Sequence, residues 1–230
     1  MESGKMRINR YVALCGSLSR RDADKAIDEG RVRVNGAPAL KGMLISATDM
    51  VELDGIRICP PDKKSYYLYY KPRGIVCTAR DAHAALTVKD EIKRLSLPQS
   101  LTYAGRLDKE SEGLLILTDD GEFIEKMMRA GTGHEKEYLV SLDLPVTDEF
   151  LRKMSSGLYL EDMGRRTNPC KVEKTGPREF RIILTQGMNR QIRRMCASLG
   201  YSVTKLLRTR IENWELGDLE PGEARKIEIS

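Results

Sequence analysis

The sequence predicts an α+β protein in two parts: a small mixed module over residues 1–60, and a larger, mainly antiparallel sheet domain over 66–230. Three observations predict it. Short alternating apolar runs flank two tight-turn dipeptides, Asn35-Gly36 and Asp54-Gly55, a strong hairpin signal. The run Cys59-Pro60-Pro61-Asp62-Lys63-Lys64 reads as a stiff polar connection, which places a linker at 61–65. Beyond it, candidate strands alternate with several amphipathic stretches, as in a sheet with helices packed against it.

In chain order, Ile8, Tyr11, Val12 and Cys15 stand at helical spacing with Gly16 as a stop, which predicts a first helix. Ser19-Arg20-Arg21-Asp22 forms a capping box ahead of a second helix, whose apolar stripe is Ala23, Ala26 and Ile27 and whose end is Gly30. Arg31-Val32-Arg33-Val34 alternates like a half-buried strand. Residues 50–53 and 56–58 make a further strand pair. In the larger domain, strands are expected at 66–70, 114–117, 138–142, 180–184 and 201–206, and helices at 87–95, 122–129, 147–155 and 189–199.

Composition narrows the function classes. The chain has 230 residues, 40% hydrophobic and 32% charged, an ordinary globular balance. Its net charge of +5 says little by itself, but the distribution says more. No acidic residue occurs from Phe180 to Ile211, where Arg181, Arg190, Arg193, Arg194, Lys205, Arg208 and Arg210 all fall. A one-sign stretch of this length builds a positive potential that attracts phosphates. Five cysteines occur, none spaced as CxxC, which suits reduced thiols in a cytoplasmic protein. With only His83 and His134 available, a zinc site or a Ser-His-Asp device is poorly supplied. No apolar run reaches the roughly 18 residues of a membrane span, and residues 1–10 lack a signal-peptide core. No metal and no membrane partner are expected.

The segment with most chemical content runs from Gly105-Arg106-Leu107-Asp108 through Ser111 and Gly113-Leu114-Leu115 to Thr118-Asp119-Asp120-Gly121. It is a polar loop feeding a buried strand, with Asp108 between Arg106 and Lys109. Its residues leave two readings. Asp108 caps a turn, or it is a reactive carboxylate serving as nucleophile, base or electrostatic stabiliser.

This segment resembles the catalytic motif of the ribosomal RNA pseudouridine synthases, in the branch containing RsuA, RluB, RluE and RluF. Ser111 stands where most members have threonine, so the hydroxyl is kept. Three further blocks resemble the branch in the expected order: Lys71-Pro72-Arg73-Gly74, His134-Glu135-Lys136-Glu137-Tyr138-Leu139-Val140, and Gly187-Met188-Asn189-Arg190-Gln191-Ile192-Arg193-Arg194-Met195. The last continues to Leu207-Arg208-Thr209-Arg210-Ile211. The N-terminal module is similar to an S4 RNA-binding domain, through Ser19-Arg20-Arg21-x-Ala23 and Val32-x-Val34-Asn35-Gly36. Within the branch the likeness is greatest to the RluF group, which acts on large-subunit RNA.

The resemblance implies a fold, an activity and a set of roles. The fold is an S4 domain followed by a mainly antiparallel pseudouridine synthase domain. The activity breaks the uracil N1–C1′ bond, turns the base and rejoins it through C5, with no cofactor. Asp108 is the essential residue, by attack at C1′ or by proton abstraction at the ribose. Tyr138 stacks on the flipped uracil, Arg193 pairs with the aspartate, and Leu207 lines the uracil pocket. Arg106 fills the hole left by the flipped uridine. Arg193 is also just off the apolar stripe Ile192, Met195, Cys196 and Leu199, where it can point into a cleft. Arg190, Arg194, Lys205, Arg208 and Arg210 hold phosphates, with Lys71 and Asn189 completing the substrate contacts. Arg20 and Arg21 hold an RNA stem by shape and backbone. The expected partner is a ribosomal RNA stem-loop, and the expected state a monomer. Small-subunit RNA and tRNA are alternative substrates. A non-catalytic RNA-binding assembly protein and a hydrolase using Asp108 as base are the alternatives of other classes.

Overall fold

The computed structural model describes residues 5–16, 18–61, 63–78, 86–129, 131 and 133–229. His83 and Asp62 of the expected linker lie outside the described residues. The chain divides into two compact units, residues 1–65 with 92–102, and residues 66–91 with 103–230. A cut at a single linker would be collinear with the chain; here the segment 92–102, with buried Ile92 and Leu101, groups with the first unit.

In the first unit β1 (Met6–Arg7), α1 (Ile8–Leu14) and α2 (Arg20–Asp28) precede β2 (Val32–Val34), β3 (Ala37–Pro38), β4 (Leu44–Ile45), β5 (Val51–Leu53) and β6 (Ile56–Ile58). Ser19 caps α2: its Oγ accepts from the Asp22 amide at 3.2 Å and donates to the Asp22 carboxylate at 2.6 Å. Gly30 ends the helix at φ +71°. There the Gly30 amide donates to the Ile27 carbonyl and the Arg31 amide to the Ala26 carbonyl, both at 3.0 Å, the paired bonds of a Schellman turn. Asn35-Gly36 and Asp54-Gly55 both hold positive φ, as a type I′ hairpin turn requires. The strands pair in the order β3-β2-β5-β6, with β1–β4 as a separate ribbon. Ile8, Val12, Ala23, Ala26, Ile27, Val32 and Val51 make the core between helices and sheet.

The second sheet begins with β7 (Tyr66–Lys71), and α3 (Val88–Arg94), β8 (Thr102–Ala104) and β9 (Glu112–Thr118) follow. Next come α4 (Gly121–Met128), β10 (Lys136–Leu142), α5 (Asp148–Ser155), β11 (Tyr159–Leu160), a 3-10 turn at Glu161–Met163 and β12 (Arg165–Arg166). The chain ends with β13 (Lys171–Gly176), β14 (Glu179–Leu184), α6 (Gln191–Ser198), β15 (Val203–Ile211), β16 (Trp214–Glu215) and β17 (Ala224–Ile227). Among the described residues the sheet has nine strands, in the order β13-β14-β10-β15-β9-β7-β17, with β16 beside β15 and β8 beside β9. Along that central path every pairing is antiparallel except β15 with β9, which run parallel and meet at Leu207↔Glu112 and Arg208↔Gly113.

Each face of this sheet has its own core. Val140, Phe150, Met154, Phe180, Ile182, Ile192 and Leu206 form one, under α5 and α6. Leu68, Leu114, Ile116, Met127 and Ile211 form the other, under α4, with Phe123 and Leu207 packed on it. β9 sits in the middle of the sheet, so its Leu114-Leu115-Ile116-Leu117 run is buried on both sides.

Candidate active site

Asp108 lies in the loop between β8 and β9, and the loop backbone is tied down from three directions. From the end of β7, Lys71 Nζ donates to the Ser111 carbonyl at 2.7 Å, and the Gly74 amide donates to the Lys109 carbonyl at 2.7 Å. From α6, Arg193 Nη2 donates to the Glu110 carbonyl at 3.2 Å, while its Nη1 holds the Val203 carbonyl at 3.2 Å. From β15, Arg208 Nε donates to the Leu114 carbonyl at 2.7 Å and Nη1 to the Arg106 carbonyl at 3.3 Å. The Ser111 amide closes the loop on the Asp108 carbonyl at 3.1 Å. Charged donors on carbonyls are the stronger kind of hydrogen bond, and a fixed loop backbone fixes the direction of the Asp108 side chain.

The carboxylate itself is not tied down. Among the described residues no hydrogen bond or ion pair reaches it, and it is half-buried in the wall of a cleft of about 740 Å³. That volume is in the range of a small-ligand site. Arg106, Arg129, Lys136, Arg165, Arg190 and Arg208 also line the cleft, and Asp108 is its one acidic side chain among the described residues. The Asp108 charge also acts on Arg193 and Lys71. Burial, opposed in part by Cys77 and Asp108, brings the Lys71 ammonium down to about 8. Burial first, and then Arg208, lowers the pKa of Lys136. Among the described residues, three buried polar atoms near the loop have no hydrogen-bond partner: Ser111 Oγ, Arg193 Nε and Arg208 Nη2.

Tyr138 reaches the cleft from β10, where it faces Arg208 across the β10–β15 pairing. Lys136, two residues earlier, shares that face. Asn189 and Arg190 line the cleft before α6, with Arg190 at φ +52° and paired with Glu110 at 3.0 Å. The Arg106 guanidinium carries no ion pair among the described residues. Arg20 and Arg21 stand exposed at the start of α2, in the first unit.

Several expectations need correction. Arg208 is not placed for a phosphate: it is 2% exposed, and its Nε and Nη1 are turned inward onto backbone carbonyls. Lys71, expected among the substrate contacts, is 0% exposed with its ammonium on the Pro72 and Ser111 carbonyls. Leu207 faces away from the cleft and packs on the α4 side of the sheet; Leu206 lines the cleft instead. The cause is the two-residue period of a strand, which sends neighbours to opposite faces. The acid-free stretch 180–211 is not a bare positive surface either, because the fold brings it acids from elsewhere. Arg181 pairs with Glu173, Arg190 with Glu110, Arg194 with Asp162, Lys205 with Glu112, and Arg210 with Glu135 and Glu137.

Sequence reasoning passed over Arg165, Asn168 and Gln186 and gave Lys136 no role, though all four line the cleft. Lys136 had a signal, since it is two residues from Tyr138 on one strand. Arg165 stands on the two-residue strand β12, and Asn168 and Gln186 on short connections, with no periodicity to read.

A family model for RNA pseudouridylate synthase matches residues 65–198, and one for the S4 domain matches residues 6–51. The dual-specificity RNA pseudouridine synthase RluF of Salmonella typhi is 44% identical over 224 residues, covering 96% of this chain and 75% of that protein. Ribosomal large subunit pseudouridine synthase B of Bacillus subtilis is 34% identical over 228 residues, covering 96% of this chain and 91% of that protein. A crystal structure of a pseudouridylate synthase superposes with a TM-score of 0.69 at 29% identity, over 97% of this chain and 96% of that one. The loop and the strand tyrosine thus meet in one cleft, with the helix arginine holding the loop, in a chain that belongs to the RNA pseudouridine synthase family, with an S4 domain ahead of its catalytic domain.

Proposed function

We propose that the chain converts a uridine of 23S, large-subunit ribosomal RNA to pseudouridine in the cytoplasm, acting as a monomer with Asp108 as its essential residue. The observation that carries this reading is a carboxylate without a bonded partner among the described residues, on a braced loop, in a cleft whose other lysine, arginine and acidic side chains are all cations. The names of the relatives support the substrate: the Bacillus subtilis protein is a large-subunit enzyme, and the RluF proteins are RNA synthases of dual specificity.

The target uridine turns out of its helix into the cleft, since its glycosidic bond is hidden while stacked. Asp108 attacks C1′ or takes a ribose proton; either role uses a carboxylate with no other partner. The N1–C1′ bond breaks and the base turns; C5 then joins C1′ as the Asp108 oxygen leaves C1′, or as Asp108 returns the ribose proton, and the proton on C5 is lost while N1 gains one. Tyr138 lies against the base. Arg106, without an ion pair among the described residues, fills the gap in the RNA stack. Arg193 supplies positive charge beside Asp108 while holding its loop. Residues 1–60 hold the RNA stem through Arg20 and Arg21, residues 61–65 link, and residues 66–230 carry the reaction.

The test is pseudouridine mapping of 23S, 16S and transfer RNA from cells lacking the protein, complemented with wild type or Asp108→Asn. One 23S position should lose its modification and recover only with wild type. Recovery with Asp108→Asn would remove Asp108 from its role, and a lost position confined to 16S or transfer RNA would move the substrate.

A further inference from the structure

Arg165 stands on β12 and lines the cleft, and among the described residues its guanidinium has no ion pair and no hydrogen bond. Arg106 is the other cleft arginine in that condition, whereas Arg129 and Arg190 pair with Glu125 and Glu110, and Arg208 is buried with its Nε and Nη1 on backbone carbonyls. The segment that carries Arg165 is firmly held. Thr167 is 2% exposed, its amide donates to the Leu158 carbonyl at 2.8 Å, and its Oγ1 accepts from the Leu158 amide at 2.9 Å. At Gly157, φ is +79° and a Cβ would meet the Thr167 carbonyl at 2.5 Å, so the two ends of the hairpin touch backbone to backbone. The Asn168 amide is bonded to Gln186, and Asp162 pairs with Arg194 of α6. Leu160, opposite Arg165 in the pairing, is buried in the α5–α6 core.

A cation left without a partner on so rigid a mount is a preorganised anion contact. We propose that the β11–β12 hairpin is an RNA-contacting wall of the cleft, on which Arg165 binds a backbone phosphate next to the target uridine. This rests on the reading of the cleft as an RNA-modifying site. It goes beyond that reading because no motif of the sequence touches residues 157–168. The cations expected to hold phosphate are largely neutralised within the fold, and the hairpin supplies one that is not.

The test uses the full chain and an unmodified 23S transcript, measuring equilibrium binding against salt and single-turnover pseudouridine formation at saturating RNA. Arg165→Ala should weaken binding about tenfold and reduce the slope of log K against log salt by about one, with the saturated rate unchanged. Arg165→Lys should keep the slope. Arg152→Ala, an exposed arginine on α5 away from the cleft, should change neither. Unchanged affinity and slope in Arg165→Ala would overturn the proposal, as would an equal effect from Arg152→Ala, or a slower saturated rate at unchanged affinity. Wild type making no pseudouridine in the same transcript would instead remove the reading on which the proposal rests.

Discussion

Arg208 reaches two carbonyls that bracket Asp108, at residues 106 and 114, and it does so from inside the protein. Its charge serves the loop rather than the RNA. Replacing it with methionine would leave both carbonyls buried without donors, a loss of about 2–4 kcal/mol of stability. The loop would also shift, and a displacement near 1 Å costs about 100-fold in rate. The expected outcome for Arg208→Met is therefore a lower urea midpoint and a strongly reduced turnover, with an unchanged salt slope for RNA binding. A reduced slope with normal stability would return Arg208 to the phosphate contacts. Lys71, Gly74 and Arg193 serve the same loop, so four residues from three separated sequence blocks share one structural task.

Among the elements, the junction of β9 and β15 is the tightest. Gly113 has φ +109°, and a Cβ there would stand 2.3 Å from the Arg208 carbonyl oxygen and 2.7 Å from its nitrogen. Backbone cannot move aside as a side-chain end can. Gly113→Ala should destabilise the second unit by more than about 3 kcal/mol, read from urea unfolding, whereas Gly187→Ala, with open space and no positive φ, should unfold like wild type. Elements with strong local signals were legible in the sequence: the capped α2, both hairpin turns, and the helices α4, α5 and α6. β15 was legible only in part, expected at 201–206 and found at Val203–Ile211, because its far half is interrupted by Arg208 and Arg210 and gives no clean alternation. β11, β12, β16 and β17 are short and held by their neighbours in space, so nothing local announces them. In the site, the blocks pointed to the loop and Tyr138, which line one cleft, and to Arg193, which is not in the cleft lining and holds the loop at the Glu110 carbonyl. They did not disclose which arginines turn inward, since burial is decided by strands that meet only in three dimensions.

For the whole molecule, the distribution of charge differs from its order along the chain. The basic stretch 180–211 draws acids from β9, β10, β13 and the turn after β11. Exposed ion pairs of this kind add little stability, yet they cancel the local field that would otherwise gather phosphates. Arg194→Ala and Arg210→Ala should accordingly leave the salt dependence of RNA binding as it is, while Arg106→Ala should lower the slope by about one. A drop for Arg194 or Arg210 as large as for Arg106 would mean that RNA displaces the acids. The brace on Asp108 has a further effect, in time rather than in space. Arg208 and Leu114 are separated by 94 residues of chain, and closing so long a loop is slow compared with forming a hairpin or a helix. During synthesis the aspartate emerges well before the Arg208 that supports its loop. A nascent chain is therefore chemically silent toward RNA until β15 has been made and has docked beside β9, which ties the onset of activity to the completion of folding.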